Sequence, residues 1–389
     1  MNRKGKFKTT AIIFLLLVLP VAGKILWVES AMRGIGSFET EREDILQRRD
    51  WLLSKVLVDP ADLLSEMPSG IGDQFRGEWA LYSCSMLSAA LVNISVLYPE
   101  TLAEALPAVD SLIRMVLSFE LKWYDYCRWG EDPLYDLDGD RSHISYLSHL
   151  AWMIGGYKRL GGDGRYDELY DSVCRAMDRR IRNSPTLNLP TYPFENIYVP
   201  DMLVAIAALS NYATTHQGRY RPTVDRWLEE MKKNWTDEST GLIVSMIPDD
   251  GDTQLETLPV KGSYAALNCY YLTFVDRDFA KEQYELLKKT SLQERPVAGI
   301  REYHDRRCLL GMDIDAGPIL MNLSPSGTAF AVGSATFFED WGIRRKLMKT
   351  GELAGFTVAR KGMRHYKLAD IALVGEAIML AMKTAVSWD

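Results

Sequence analysis

No GxSxG, Walker A, GxGxxG or HExxH pattern occurs in the 389 residues, which leaves serine-hydrolase, nucleotide-binding and zincin chemistry without support. The five cysteines, Cys84, Cys127, Cys174, Cys269 and Cys308, are scattered, odd in number and free of CxxC spacing, so neither a zinc site nor a disulfide scaffold is indicated. Basic residues form no stripe. Acids and bases are interspersed around a formal net charge of −7, and nucleic acid is not an expected partner. Strand-like alternation is scarce, its best case being GLIVSMIP at 241–248 as a hairpin arm, and no Pro/Gly/Ser-rich linker interrupts the chain after residue 30.

What is abundant is apolar and aromatic. Hydrophobic residues make up 47% of the chain and supply an ample core. The 10 Trp, 19 Tyr and 12 Phe exceed what a core requires and suit a pocket lined by rings. At the N-terminus, MNRKGKFK is basic and TAIIFLLLVLPVAG is apolar, followed by Lys24 and ILWV. The apolar run of about 13 residues is short for a membrane span of ~20, which favours a cleaved signal peptide. ILWV lengthens it into an anchor over residues 9 to 28. Residues 1–30 are therefore expected to be a signal peptide or membrane anchor, and 31–389 one extracytoplasmic domain, membrane-anchored or secreted to the periplasm or beyond.

Windows 79–98, 144–160, 166–181, 201–216, 223–235, 263–275 and 368–386 repeat apolar residues at i, i+3, i+4 and i+7. Helices apolar nearly all round (79–98, 201–212, 263–275) alternate with charged amphipathic ones (103–120, 166–181, 223–235, 279–290). Inner helices shielded on every side and outer helices with one wet face produce that rhythm. The fold expected is an all-α toroid, a barrel of about six inner and outer helix pairs. Its pocket is framed by the inner helices' ends and the loops that join them to the outer ones.

Polar clusters are expected there. WYDYCRWGEDPLYDLDGDRSHISYLSHL at 123–150 contains Trp129, Tyr146 and His149; DLDGD lacks the spacing and distal Glu of an EF-hand, and an Asp/Gly-rich turn is the plainer account. His149 on an apolar helix is either a satisfied core residue or an acid/base group tuned by nearby carboxylates. YPFENIYVPDML at 192–203 crowds Tyr192, Glu195, Tyr198 and Asp201 into one connection, with Pro200 opening a helix. A helix-start acid explains Asp201 alone, but not the aromatics and Glu195 beside it. Asp313 and Asp315 share a face if their segment is extended and can divide acid and base roles, or simply cap a loop. Tyr264 heads the apolar helix of VKGSYAALNCYY, as a hydrogen-bond donor to the pocket or as a packed ring.

HL-x-x-M-x-G-x-Y-x-x-L (149–160), G-x-x-RYD (162–167) and P-x-ENIYVPDM (193–202) together resemble the linalool dehydratase-isomerase family, over roughly residues 75 to 385. The resemblance implies an α/α barrel and acid/base dehydration or isomerisation of a terpenoid-like alcohol, with no cofactor and no metal. The family's helix histidine falls on His149, its two cysteines fall around Tyr192 and on Asp201, and its later inner-helix tyrosine falls on Tyr264. An N-terminal Asp and Tyr of the family site have no placed counterpart. The absent thiols change pocket volume and proton-donor pKa. The resemblance and the polar clusters taken together give as the first expectation a cofactor-independent lyase or isomerase, with His149, Glu195, Asp201, Asp313 and Asp315 as its acid/base set and Tyr146, Tyr192, Tyr198, Tyr264 and Trp129 around the substrate. The alternatives are a carbohydrate-active α/α-barrel enzyme, a glycosidase, lyase or epimerase on an envelope glycan, for which carboxylates and surplus Trp and Tyr also suit, and a non-catalytic binding homologue. A small-molecule substrate and a membrane contact through the N-terminal helix are the expected partners. Toroidal helical enzymes often associate, which leaves a homo-oligomer open.

Overall fold

The chain is described by a computed structural model over residues 18–20, 22–30, 32, 35–68, 70, 72–248 and 260–388. The expected helical windows are present, each within a few residues of its sequence bounds. In chain order the helices are α1 (Phe38–Val56), α2 (Pro60–Glu66), α3 (Asp73–Leu97), α4 (Leu102–Val116), α5 (Phe119–Trp129), α6 (Ile144–Arg159) and α7 (Asp167–Asn183). The second half adds α8 (Val199–Thr215), α9 (Arg221–Asn234), α10 (Gly262–Leu272), α11 (Arg277–Ser291), α12 (Pro325–Phe337), α13 (Trp341–Gly355) and α14 (Leu373–Lys383).

Helices α3, α6, α8, α10, α12 and α14 pack side by side in that order, and α14 returns to α3, which closes a ring. These are the helices apolar on all sides: every residue of α10 is buried, as are nearly all those of α8 and α6. Helices α1, α4, α7, α9, α11 and α13 form the outer layer, each with one buried stripe and one wet face. The architecture is the expected α/α toroid of six pairs. Its longest inner helix has an apolar stretch, Phe75–Leu97, long enough to cross a membrane, yet 83% of that stretch is buried inside the barrel.

Local chemistry stops and starts the helices where the ring needs it. Ser118 caps α5 and Gly130, at φ 75, ends it. Asp276 caps α11, Ser324 and Pro325 open α12, and Asp340 caps α13. Each outer helix carries the chain back along the barrel, so the inner helices run parallel and all begin at one end.

The strands lie on the connections that lead from an outer helix into the next inner one. β1 (Ile197–Tyr198) pairs with β2 (Met246–Ile247), joining the connections before α8 and α10. Of the expected arm GLIVSMIP, Ile243 bridges to Thr236 as a local hairpin, and Met246–Ile247 pairs instead with the distant β1. β3 (Leu292–Gln293), β4 (Gly299–Arg301), β5 (Leu310–Asp313), β6 (Gly317–Leu320) and β7 (Leu323–Ser324) form one antiparallel sheet ordered β3-β4-β7-β6-β5 before α12. The hairpin β8 (Thr357–Arg360) and β9 (Met363–Tyr366) precedes α14. The last two groups are not legible as alternation, because their strands are only two to four residues long.

The ring is sealed by buried charge. Arg48 of α1 reaches Glu376 of α14 at 2.7 Å, and Arg344 of α13 reaches Glu41 of α1 at 2.6 Å, all four side chains being almost wholly buried.

Candidate active site

Because the inner helices are parallel, their first turns and the connections before them converge at one end of the barrel. Asp201 stands in the first turn of α8 behind Pro200, as expected. It is not a solvated helix-start acid. Its side chain is buried, and Thr191 Oγ1 donates to Oδ2 at 2.6 Å. Burial pushes its carboxyl up to about 6 against that hydrogen bond, with the Asp315 charge adding to the push.

Opposite it stands Glu78, in the second turn of α3. Burial drives this carboxyl up to about 8, and the charge of Asp201 is the next cause. Tyr192, from the connection before α8, donates its hydroxyl to Glu78 Oε2 at 2.9 Å. Space for this arrangement comes from Gly77, where a Cβ would lie 2.6 Å from Tyr124 Cβ on α5. Two carboxyl groups on different inner helices are thus held at different proton affinities, one protonated and one ionised at neutral pH.

A second group of charges adjoins them. Lys261, just before α10, ion-pairs with Asp313 at 3.0 Å and Asp315 at 3.2 Å. Tyr264 donates to Asp315 Oδ2 at 2.6 Å. Burial opposes the charge on Lys261, but Asp315 and Asp313 outweigh it and hold its pKa above the ordinary value. Asp313 is also a turn residue: Oδ1 accepts the backbone N–H groups of Asp315 and Ala316, and these with Lys261 hold it below the carboxylate range despite burial. The two aspartates meet through Lys261 rather than through a shared strand face, since Asp315 lies in the β5–β6 turn. Gly262 permits the close approach of α10 to β4, as a Cβ there would stand 2.0 Å from the Arg301 carbonyl oxygen.

The remaining expected residues divide. Glu195 is at the rim, 3.4 Å from Arg128 Nη1 and 3.5 Å from the Tyr198 hydroxyl, while Arg128 stacks over the Tyr192 ring at 4.4 Å. Tyr198 and Tyr264 meet edge to face at 6.2 Å. His149 lies deeper, against the Tyr82 ring at 4.4 Å, with Nδ1 2.8 Å from Ser85 Oγ. Burial alone lowers it to about 3, so it is a neutral ring beneath the carboxylates. The Tyr146 hydroxyl donates to the Val116 carbonyl at 3.0 Å, toward the outer layer. Trp129 packs 5.3 Å from the ring of His143, whose Nδ1 meets Asp125 at 2.6 Å. The stretch DLDGD is a turn, as expected, pinned by Arg180 to the Asp136 and Gly139 carbonyls.

Sequence reasoning missed Glu78, Thr191, Arg128 and Lys261. Glu78 also lies near the head of an apolar helix, but without the proline at the helix entry that marks Asp201. Cavities of about 190 Å³ beside Tyr170 and about 380 Å³ beside Arg48 lie elsewhere, and neither is lined by Glu78 or Asp201.

No family model matches the sequence, nor does any curated protein. Solved structures do. A glycoside hydrolase of family 105 from C. acetobutylicum ATCC 824 is similar with a TM-score of 0.55 and 11% identity, over 79% of this chain and 93% of that one. An unsaturated glucuronyl hydrolase specific for heparin is similar with a TM-score of 0.52 and 11% identity, over 86% of this chain and 96% of that one. At such identity the likeness establishes the fold. It also overturns the resemblance to linalool dehydratase-isomerase, and with it the lyase or isomerase reading on a terpenoid-like alcohol, because the chain's structural neighbours are glycosidases. The physical reason is that much of the motif serves α/α-barrel packing: His149 and Met153 are buried, Gly155 makes room for the Tyr170 hydroxyl, and Tyr157 covers Gly162.

Proposed function

We propose that the protein is a carbohydrate-active hydrolase that cleaves a glycan at the end of the barrel where Glu78 and Asp201 converge. The observation that carries this reading is the pair itself, two carboxyl groups on the inner helices α3 and α8, held near 8 and 6. Pairs pushed apart in this way divide the acid and base roles. The similar solved structures, a family 105 glycoside hydrolase and a glucuronyl hydrolase, lend the same fold to sugar chemistry.

In this reading Glu78, protonated at neutral pH, gives its proton to the glycosidic oxygen as the carbon–oxygen bond breaks. Asp201, ionised, takes a proton from the water whose oxygen bonds to the anomeric carbon. The sum is one water consumed and two sugar hydroxyl ends released. Tyr192 holds the Glu78 carboxyl, while Tyr198 and Tyr264 offer ring faces and hydroxyls to a sugar. Lys261 holds Asp315 and Tyr264 in place. The basic and then apolar N-terminus supports an extracytoplasmic, envelope-associated substrate.

The test is turnover of an oligosaccharide panel by the full chain, with Glu78→Gln and Asp201→Asn beside it. Each substitution is expected to lower kcat by about 10²–10⁴-fold. Full activity in either variant, or a wild type inert on every glycan, would sink the proposal.

A further inference from the structure

The exposed apolar side chains are unevenly placed. Outside the N-terminal helical residues 18–20 and 22–30, the large exposed hydrophobics described at the far end of the barrel are Val96 and Leu102. All the others described belong to connections that enter inner helices, and so to the end that bears Glu78 and Asp201. Phe194 is 101% exposed at the tip of its connection, Tyr135 82%, and Leu310, Met312 and Leu309 80%, 78% and 73% on and beside the β5–β6 hairpin. Phe119, Trp123 and Tyr126 form an exposed row on α5, Phe119 tilted against Trp123 at 5.2 Å and Trp123 stacked on Tyr126 at 5.1 Å. A soluble face rarely gathers so much apolar surface on one side.

The N-terminal segment leads to the same end. Phe38 packs on Trp341 at the start of α13, Arg345 donates to the Ile35 carbonyl at 3.0 Å, and Lys349 pairs with Glu29. Trp27 then stacks on Phe356 at 5.0 Å, and Lys24 Nζ sits 3.9 Å over the same ring. Read backwards from residue 38, the chain runs along α13 to its last turn and reaches the site end at Lys24. Beyond it Leu19 is exposed, and the sequence before that is TTAIIFLLL, nine residues without charge. A tryptophan and a lysine where an apolar helix meets a folded domain are the anchors of a membrane interface.

We propose that the site-bearing end of the barrel lies against a lipid bilayer, held there by the N-terminal segment, so that the carboxylate pair opens toward the membrane surface. The occupant is lipid because the apolar face is continuous with a segment whose composition suits a bilayer. This orientation does not depend on glycan hydrolysis. Where both hold, the substrate is a glycan presented at the membrane surface.

The test is hydrogen exchange read by mass spectrometry on the full chain reconstituted in vesicles of phosphatidylcholine and phosphatidylglycerol. The triple variant Phe194→Asp, Leu310→Asp, Met312→Asp is measured in the same vesicles. The three side chains are so exposed that the melting temperature should not change; should it drop, Leu310→Ser alone serves instead. The expected result is severalfold slower exchange in 119–129, 190–198 and 309–321 of the wild type than of the variant, with 96–102 at the far end alike in both. Equal exchange in wild type and variant overturns the proposal, as does protection of the far end. Protection that grows with protein density at fixed lipid also overturns it, by assigning the face to a second copy of the chain. Activity is not read, so failure here is distinct from failure of the hydrolase reading.

Discussion

Glu78 and Asp201 both titrate above the ordinary carboxyl range, and the direction fixes two pH effects. Asp201 acts as a base only above about 6, and Glu78 as an acid only below about 8. The predicted profile of kcat/KM is a bell with its top near neutrality, and its limbs belong to the coupled pair. Stability follows the same groups with a definite sign. A raised folded pKa means the native state favours the proton, so the Glu78 contribution is full below about 4.5 and is lost as pH rises through about 8. Urea midpoints of the wild type should therefore fall across that window, and those of Glu78→Gln should fall less. His149 has the opposite slope: its folded pKa is depressed to about 3, so its contribution is present above about 6.5 and is lost as pH falls toward 3. His149→Asn, which keeps a donor near Ser85, should flatten the acid side of a stability curve. Asp201 was legible because Pro200 and the aromatics beside it mark the spot within a dozen residues. Glu78 was not, since its hydroxyl partner Tyr192 is 114 residues away and its half-buried setting is a property of the closed ring.

Helices were the most legible elements, because burial on one face or on all faces writes a period directly into the sequence. The hairpin of β5 and β6 was not, although Asp313 and Asp315 within it were noticed. Four-residue strands offer too few alternations to read, and their faces are mixed, with Leu310 and Met312 turned out to solvent. Where two such elements meet, the tolerance is small. Gly262→Ala sets a methyl group 2.0 Å from the Arg301 carbonyl oxygen, which cannot yield without moving β4. The expected cost is about 1–3 kcal/mol, read as a lower urea midpoint. Lys261 and Tyr264 would shift with it, so the variant should also lose turnover.

At the scale of the molecule, closure of the ring joins residues that are hundreds of positions apart. Arg48 and Glu376 are separated by 328 residues and buried together, and the sequence offers no local sign of that pairing. Removing one partner leaves an uncompensated buried charge. Arg48→Met is predicted to cost about 3–5 kcal/mol, and Arg48→Met with Glu376→Leu to recover much of it, as denaturant unfolding would record. The toroid itself was legible from the alternation of inner and outer helices. Which carboxylates face one another across its end was not, because six connections from distant parts of the chain meet there.

The path of the N-terminal segment along α13 also has a mechanical meaning. Its contacts with α13 and with Phe356 just after it lie in a row parallel to the chain. A pull on residue 18 along the segment loads that row in shear, all at once, instead of peeling one contact after another. The tether and the barrel are thus coupled as a lap joint, and a force-extension trace should register it as a single high-force rupture.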